Sequence, residues 1–188
     1  MINKNLSFFL IIACFLFSIS GCAFGTRRPT LTYSTALPPG SPKGVSIKVM
    51  SFEDKRNNKE EIGYIRNLYG MRCAKVISTN DISEWISNAL KAELQNVGYS
   101  LSDDAQNSVS GEVIEVFCDT SFAYEGKVMV RVILKKEDEV ILDKNYSAKE
   151  EEMNWAARAA TITKVLEKTL QNLIKQVMFD INNKLGED

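Results

Sequence analysis

The sequence predicts an α+β domain in which a mainly antiparallel sheet is covered on one face by two helices. Alternating apolar and polar residues define six strands, three on each side of a central helical segment. Apolar residues spaced three and four apart define that helix and a second one near the C-terminal end. The expected order is therefore β-β-β-α-β-β-β-α, and both helices most simply pack on the same face of the sheet.

The first three strands are predicted between residues 44 and 77. Val45, Ile47 and Val49 alternate with polar residues, which indicates a strand with one buried face. Residues 62–66 and 71–77 form the second and third strands, and the short polar turn between them predicts a hairpin.

The first helix is predicted to begin after Asp81 and to end at Gly98. Asp81 is a suitable N-cap, and Glu84 three residues later completes the pattern of a capping box. The helix carries an apolar stripe that includes Trp85, Leu90 and Leu94. Gly98 suits the position after a helix where a positive φ is needed.

Three consecutive strands and a long helix complete the predicted domain. Strands near residues 108–118, 124–135 and 140–148 are separated by short turns, which predicts an antiparallel meander. The middle strand keeps a period of two over its whole length, the clearest strand pattern in the chain. The final helix is expected over residues 154–184.

The first 21 residues match an export signal. Lys4 is followed by an apolar run at residues 8–17, too short to span a bilayer but typical of a signal peptide. Ile19-Ser20-Gly21-Cys22 resembles the lipobox of bacterial lipoproteins, which predicts cleavage between Gly21 and Cys22 and lipid attachment to Cys22. The alternatives are an ordinary signal peptide with a chance cysteine, or an N-terminal anchor helix.

Acyl chains on Cys22 would hold the protein on a membrane, because several chains together give firm anchoring. Ala23 follows the cysteine where an aspartate would favour retention in the inner membrane. By resemblance to Gram-negative lipoproteins, this implies the outer membrane with the domain facing the periplasm.

Residues 22–43 are predicted to be a lipidated tether, and residues 44–188 a single periplasm-facing domain. All four prolines of the chain lie in this tether, at positions 29, 38, 39 and 42. Proline-rich segments are extended and semi-rigid, so we expect this one to lift the domain away from the lipid surface.

Two cysteines remain in the predicted domain, Cys73 and Cys118. The periplasm is oxidising, which favours a disulfide between them. Such a bridge would close a loop of about 45 residues and contribute about 4 kcal/mol in the chain-entropy model. The alternative is two separate buried thiols.

Composition argues against catalysis, cofactors and nucleic acid. The chain has no histidine, the commonest general base and metal ligand. It has no CxxC pair and no phosphate-binding glycine loop. Its formal net charge of −1 lacks the basic excess of a nucleic-acid binder. We therefore predict no catalytic residue, metal or cofactor, and interpret the acidic clusters as solvated loop charges.

Asp54, Arg56 and Arg66 form the only candidate ligand or partner loop. Asp54 and Arg56 follow the first strand, where loops often carry function, and arginine binds carboxylate or phosphate bidentately. In the preferred interpretation, however, Asp54 caps a turn and pairs with Arg56 or Arg66 to hold the loop.

These features together resemble the YajG-type bacterial lipoproteins. The resemblance rests on the lipobox, the proline-rich segment, Asp54-x-Arg56, residues 62–67 and the helix ending at Gly98-Tyr99. It implies an α+β domain on the outer membrane with no established enzyme activity. We expect a non-enzymatic lipoprotein that binds another envelope protein or the cell-wall polymer. The alternatives are an anion-binding or transport-accessory module and, remotely, a carbohydrate hydrolase that uses carboxylates.

Overall fold

The computed structural model describes residues 25–67, 69–153 and 158–186. The predicted signal peptide, Gly21, Cys22 and the predicted first turn of the last helix (154–157) lie outside these residues. The described elements are β1 (Ser46–Val49), β2 (Glu53–Asp54), β3 (Gly63–Arg66), β4 (Arg72–Val76), α1 (Ile82–Asn96), β5 (Ser100–Leu101), β6 (Asn107–Thr120), β7 (Tyr124–Lys136), β8 (Glu139–Glu152) and α2 (Ala159–Leu185).

The long strand β6 organises the sheet. One of its edges pairs with β7, which pairs with β8, and this is the predicted antiparallel meander. The other edge pairs in succession with β1, β2 and β3, all parallel to β6. Strand β5 lies outside β1, and β4 lies outside β3 as the predicted hairpin. The predicted α+β class is confirmed, with a sheet that mixes both strand directions.

The two faces of the sheet differ sharply along β7. Alternate residues from Tyr124 to Leu134 are buried, while the residues between them are half-exposed. A Cβ added at Gly126, on the buried side, would overlap Thr169 and Val165 of α2. The buried side therefore faces the helices, and we call the other side the open face. Apolar side chains of β6, β7, α1 and α2 fill the space between sheet and helices.

Helix α1 begins and ends as the sequence predicts. The Asp81 side chain accepts a hydrogen bond from the Glu84 amide at 2.8 Å, so Asp81 is the N-cap. Gly98 has a φ of 98°, and a Cβ there would overlap the carbonyl oxygen of Ser41. A larger residue would thus be strained and would also displace the N-terminal segment that crosses the end of the helix.

Residues 25–43, which we call the strap, are packed on the helices. The strap is extended, as its prolines predict, but it does not form a free tether. Its backbone bonds to the chain around β4 and to both ends of α1, through pairs such as Ile77 N to Arg27 O (2.9 Å) and Gly40 N to Asn96 O (2.8 Å). The Thr163 hydroxyl of α2 donates to Thr30 O at 3.0 Å. The strap therefore runs along the seam between α1 and α2.

A buried glutamate of α1 holds the middle of the strap. Glu93 is fully buried, and its carboxylate accepts from the Ala36 amide (3.0 and 3.1 Å), the Leu37 amide (2.5 Å) and the Tyr33 hydroxyl (3.1 Å). Burial and the neighbouring charge of Glu93 raise the pKa of Tyr33, so the phenol stays protonated and keeps donating. Local sequence did not predict this contact, because the strap meets α1 across more than 50 residues of chain.

Candidate functional site

Two adjoining cavities lie on the open face beside the loop between β2 and β3. Their volumes are about 380 and 420 Å³, and both are lined by Asn58, Glu61 and Tyr64. We call them together the Tyr64 groove. The remaining lining comes from the loop, β6 and β4, and includes Arg56, Asn57, Ile114, Glu115, Val116, Phe117, Arg72, Cys73, Ala74 and Lys75.

Aromatic rings and an arginine form the centre of this groove. The rings of Tyr64 and Phe117 meet edge to face, with their centroids 5.4 Å apart. The Arg72 guanidinium carbon lies 3.8 Å from the centroid of the Tyr64 ring. The edge contact with Phe117 and the guanidinium over the ring restrict Tyr64, which gives the groove a stiff apolar surface next to a positive charge. Such a surface suits the flat apolar face of a peptide side chain or a sugar ring.

Two carboxylates also line the groove, and each is paired with a lysine. Glu61 pairs with Lys75, and Glu115 pairs with Lys127 at 2.7 Å. The hydrogen bond from Lys75 lowers the pKa of Glu61 and outweighs the effect of burial. A general acid needs the opposite shift, so Glu61 is poorly suited to protonate a leaving group.

Arg56 lines the groove, but its guanidinium is bonded within the chain and holds the loop. Its side chain is only 5% exposed, and it binds Asp54 through two contacts, Nε to Oδ1 at 3.0 Å and Nη2 to Oδ2 at 2.8 Å. It also donates to the carbonyls of Lys59 and Glu61. Burial raises the pKa of Asp54, but the hydrogen bonds from Arg56 more than offset this and the net shift is downward. This is the loop-holding pair that the sequence analysis preferred.

Arg66 lies apart from that pair. Its Nε donates to both carboxylate oxygens of Asp119, at 2.8 and 2.9 Å, where β3 runs beside the end of β6. The three residues of the predicted ligand loop are therefore not assembled into one anion site. Each arginine is engaged by a carboxylate of this chain.

The predicted disulfide between Cys73 and Cys118 is absent, and both thiols are free. Cys73 is on β4 and Cys118 on β6, with β3 paired between them. Two strand spacings separate the cysteines by at least roughly 9 Å, beyond the Cα separation of a disulfide. Burial raises the pKa of Cys118 to about 12, so its thiol is inert at neutral pH. The prediction was wrong because spacing in sequence does not reveal an intervening strand.

Within residues 25–67, 69–153 and 158–186, no three histidine, cysteine, aspartate or glutamate side chains lie close enough together to hold a metal ion. No helix of that part of the chain combines the length and apolar character needed to cross a membrane.

Fold and groove together define a two-layer α+β domain with a polar sheet face that neither helix covers. Residues 39–184 match the sequence profile of a family described as uncharacterized lipoprotein. The chain belongs to this lipoprotein family, and the resemblance noted in its sequence is confirmed. No curated protein sequence matches it.

Solved structures share the fold at low sequence identity. A Xanthomonas campestris protein of the family DUF330 is 11% identical with a TM-score of 0.57, covering 81% of this chain and 92% of its own. A hypothetical Chlamydia trachomatis protein is 8% identical with a TM-score of 0.53, covering 77% and 99%.

The sequence alone did not show that Tyr64, Phe117 and Arg72 form one groove, or that Glu93 holds the strap, although both features leave a local signal. Tyr64 and Phe117 are aromatic residues on the polar side of their strands, where partner surfaces are often found. Glu93 interrupts the apolar stripe of α1, because it falls between the buried residues Ala89 and Val97 at helical spacing. A charge in such a stripe indicates a buried partner.

Proposed function

We propose that this lipoprotein is a non-enzymatic module that binds another component of the cell envelope through the Tyr64 groove. The observation that carries the proposal is the stacked Arg72–Tyr64–Phe117 cluster on a sheet face that neither helix covers. Half-exposed aromatic and arginine side chains contribute much of the binding energy at protein interfaces. The partner is an envelope protein or the cell-wall polymer.

The rest of the groove supports an extended ligand. The two cavities continue past Tyr64 on both sides, so a chain-like partner would lie across the ring and contact the loop at one end and β4 at the other. The exposed Asn57 and Asn58 offer amide groups that suit a peptide backbone or sugar hydroxyls.

Lipid on Cys22 would place this groove at the outer membrane of a Gram-negative host, facing the periplasm. Family membership supports lipidation, and Ala23 supports outer-membrane sorting. Cleavage would follow Gly21. Incorporation of an alkyne-labelled fatty acid in cells tests this directly: we expect labelling of the wild type and its loss in Cys22→Ser, and equal labelling of both would reject the assignment.

The two alternative functions receive less support from the geometry. A small anion would have to displace Asp54, which Arg56 binds through two nitrogens, or Asp119, whose two oxygens share the Nε of Arg66. A hydrolase would need one groove carboxylate with a raised pKa, whereas that of Glu61 is lowered.

Photo-crosslinking in living cells tests the groove. A benzophenone amino acid at the exposed Asn57 is expected to trap one discrete adduct, and Tyr64→Ala in the same chain should remove it because the stacked platform is lost. The same probe at Phe179, exposed on α2, is the matched control. Identical adducts at Asn57 and Phe179, or none at Asn57, would contradict the proposal. Muramidase digestion then distinguishes a cell-wall adduct from a protein adduct.

A further inference from the structure

Exposed apolar side chains are concentrated at one end of the sheet. Within the described residues, seven large apolar side chains are exposed, and Met50, Val140 and Phe179 are scattered over the surface. The other four lie in or beside the turns at a single end, with exposed fractions of 59% to 87%: Tyr69, Met71, Phe122 and Met153. We call these four the apolar end.

The strand register places these four residues side by side. Ile65 of β3 pairs with Thr120 of β6 in the parallel direction, so the turns that follow both strands leave the sheet at the same end. Tyr124 pairs with Glu152, which puts Met153 at that end as well. The order β4-β3-β6-β7-β8 thus spreads the apolar end over a row of about 20 Å.

The anchor enters the domain beside the same end. Arg27 of the strap forms a parallel bridge with Val76, the last residue of β4. Arg27 is five positions after Cys22, a distance along the chain of at most about 18 Å. Val76 is likewise five positions after Met71. The attachment point of the lipid is therefore within reach of the apolar end.

The opposite end of the sheet is too far from Cys22 to lie on the membrane while the strap is bound. Cys118 of β6 is level with Val76, because both pair with Gly63. Asn107, where β6 begins, lies eleven residues away from Cys118, which is about 37 Å along the strand. The strap cannot detach to bridge this distance, because its hydrogen bonds to Glu93 and Asn96 fix it to α1.

The distribution of arginine agrees with a lipid surface. Arginine binds phosphate groups well, because its planar guanidinium donates several hydrogen bonds. Five of the seven arginines in the chain lie near this end: Arg66 ends β3, Arg72 begins β4, the Arg158 amide bonds to Tyr124, and Arg27 and Arg28 lie in the strap beside β4. Arg28, Arg72 and Arg158 are exposed.

We propose that the apolar end rests in the headgroup region of the bilayer, with Tyr69, Met71, Phe122 and Met153 inserted at the interface. The strands then stand upright on the membrane, and the Tyr64 groove opens sideways close above the lipid surface. The inference rests on lipidation of Cys22, which is part of the proposed function. In this arrangement the domain is docked on the membrane in a fixed orientation and is not held at the end of a flexible tether.

Fluorescence quenching by lipid tests this orientation in the full-length lipidated chain. The protein is reconstituted into vesicles of phosphatidylethanolamine and phosphatidylglycerol with bromine in the acyl chains. A bimane label is attached at Phe122→Cys, in a Cys73→Ser background so that the buried Cys118 is the only other unmodified thiol of the domain. Val140→Cys, exposed at the far end, is the matched control. We expect at least a twofold loss of bimane emission at position 122 and less than a tenth at position 140.

The outcomes separate docking from anchoring. Flotation of the same samples in a density gradient reports whether the protein is anchored at all. Protein that floats with the vesicles but shows no quenching at position 122, or equal quenching at both positions, would overturn the docked orientation and leave the anchor standing. Protein that fails to float would overturn lipid anchoring and the orientation with it. Thermal melts matched to the wild type confirm that the labelled variants are folded.

Discussion

The two faces of the sheet use the same residue type in opposite ways. Glu93, on the helical side, is fully buried and accepts hydrogen bonds from three groups of the strap. Glu115, on the open face, is 35% exposed and pairs with Lys127 at 2.7 Å. The first glutamate joins distant parts of the chain, and the second sits at a surface where water can replace its partner. We therefore expect the helical side to contribute most of the stability of the domain, and the open face is the side that we propose for recognition.

The largest loss of stability is expected from substitutions in the apolar layer between the sheet and the helices. Leu170 of α2 is fully buried, and Leu170→Ala should lower the free energy of unfolding by about 3 kcal/mol through lost burial and a residual cavity. Urea denaturation followed by circular dichroism measures the change. Met129→Ala, on the open face of β7, is the control and should cost less than about 1 kcal/mol. Equal losses in the two variants would mean that the two faces contribute equally to the stability of the domain.

The next largest effect concerns the strap anchor. Glu93→Ala leaves the amides of Ala36 and Leu37 and the Tyr33 hydroxyl without their acceptor, so we expect a loss of about 2–3 kcal/mol in unfolding free energy. Glu93→Gln keeps one acceptor oxygen, so its loss of unfolding free energy should be smaller. Gln95→Ala, exposed on the same helix, is the matched control and should be close to neutral. A neutral Glu93→Ala variant would show that the strap does not depend on this carboxylate.

The loop-holding pair on the open face gives an intermediate effect. Arg56→Ala removes four hydrogen bonds from a buried guanidinium and leaves Asp54 unpaired, so we expect a loss of about 1–3 kcal/mol at pH 7. The measurement is urea denaturation, and Lys55→Ala, an exposed neighbour, should behave as wild type. A stable Arg56→Ala variant would indicate that the loop is held by its backbone alone.

The same pair predicts a dependence on pH. The pKa of Asp54 is lowered in the folded protein, so its contribution is complete above the unfolded value of about 3.9 and is lost as the pH falls through the lower folded value. Wild type should therefore lose stability below about pH 4 more steeply than Arg56→Ala, which lacks the side-chain hydrogen bonds that lower the pKa of Asp54. Parallel acid profiles for the two proteins would contradict this.

The smallest effect is expected from the exposed ion pairs of the open face. Arg131 contacts Asp143 at 2.7 Å, but both side chains are about two-fifths exposed, so solvent and salt screen the pair. Arg131→Ala should leave the unfolding midpoint nearly unchanged, and any difference from wild type in low salt should disappear in 1 M NaCl. A large loss of stability that does not depend on salt would mean that the open face contributes substantially to the stability of the domain.

Local patterns predicted most of the fold and little of the candidate site. The alternation in β7 and the cap at Asp81 depend only on residues close together in sequence, and both are present as predicted. Strands β2 and β5 have two residues each, too few to show a period. The strap and the separation of Cys73 from Cys118 depend on contacts between distant segments, which no local period encodes. The same is true of the Tyr64 groove, whose residues come from β3, β4 and β6.

The proposed orientation on the membrane requires the strap to be part of the fold, because only a bound strap would tie the domain closely to a lipid on Cys22. Hydrogen exchange at the amides of Ser34, Ala36 and Leu37 measures this directly, since all three donate to buried or half-buried carboxylates of α1 and α2. We expect these amides to exchange at least about 100-fold more slowly than in an unstructured peptide, and Glu93→Ala to speed up Ala36 and Leu37 more than Ser34. Exchange of all three at the unstructured rate in the wild-type protein would contradict the account.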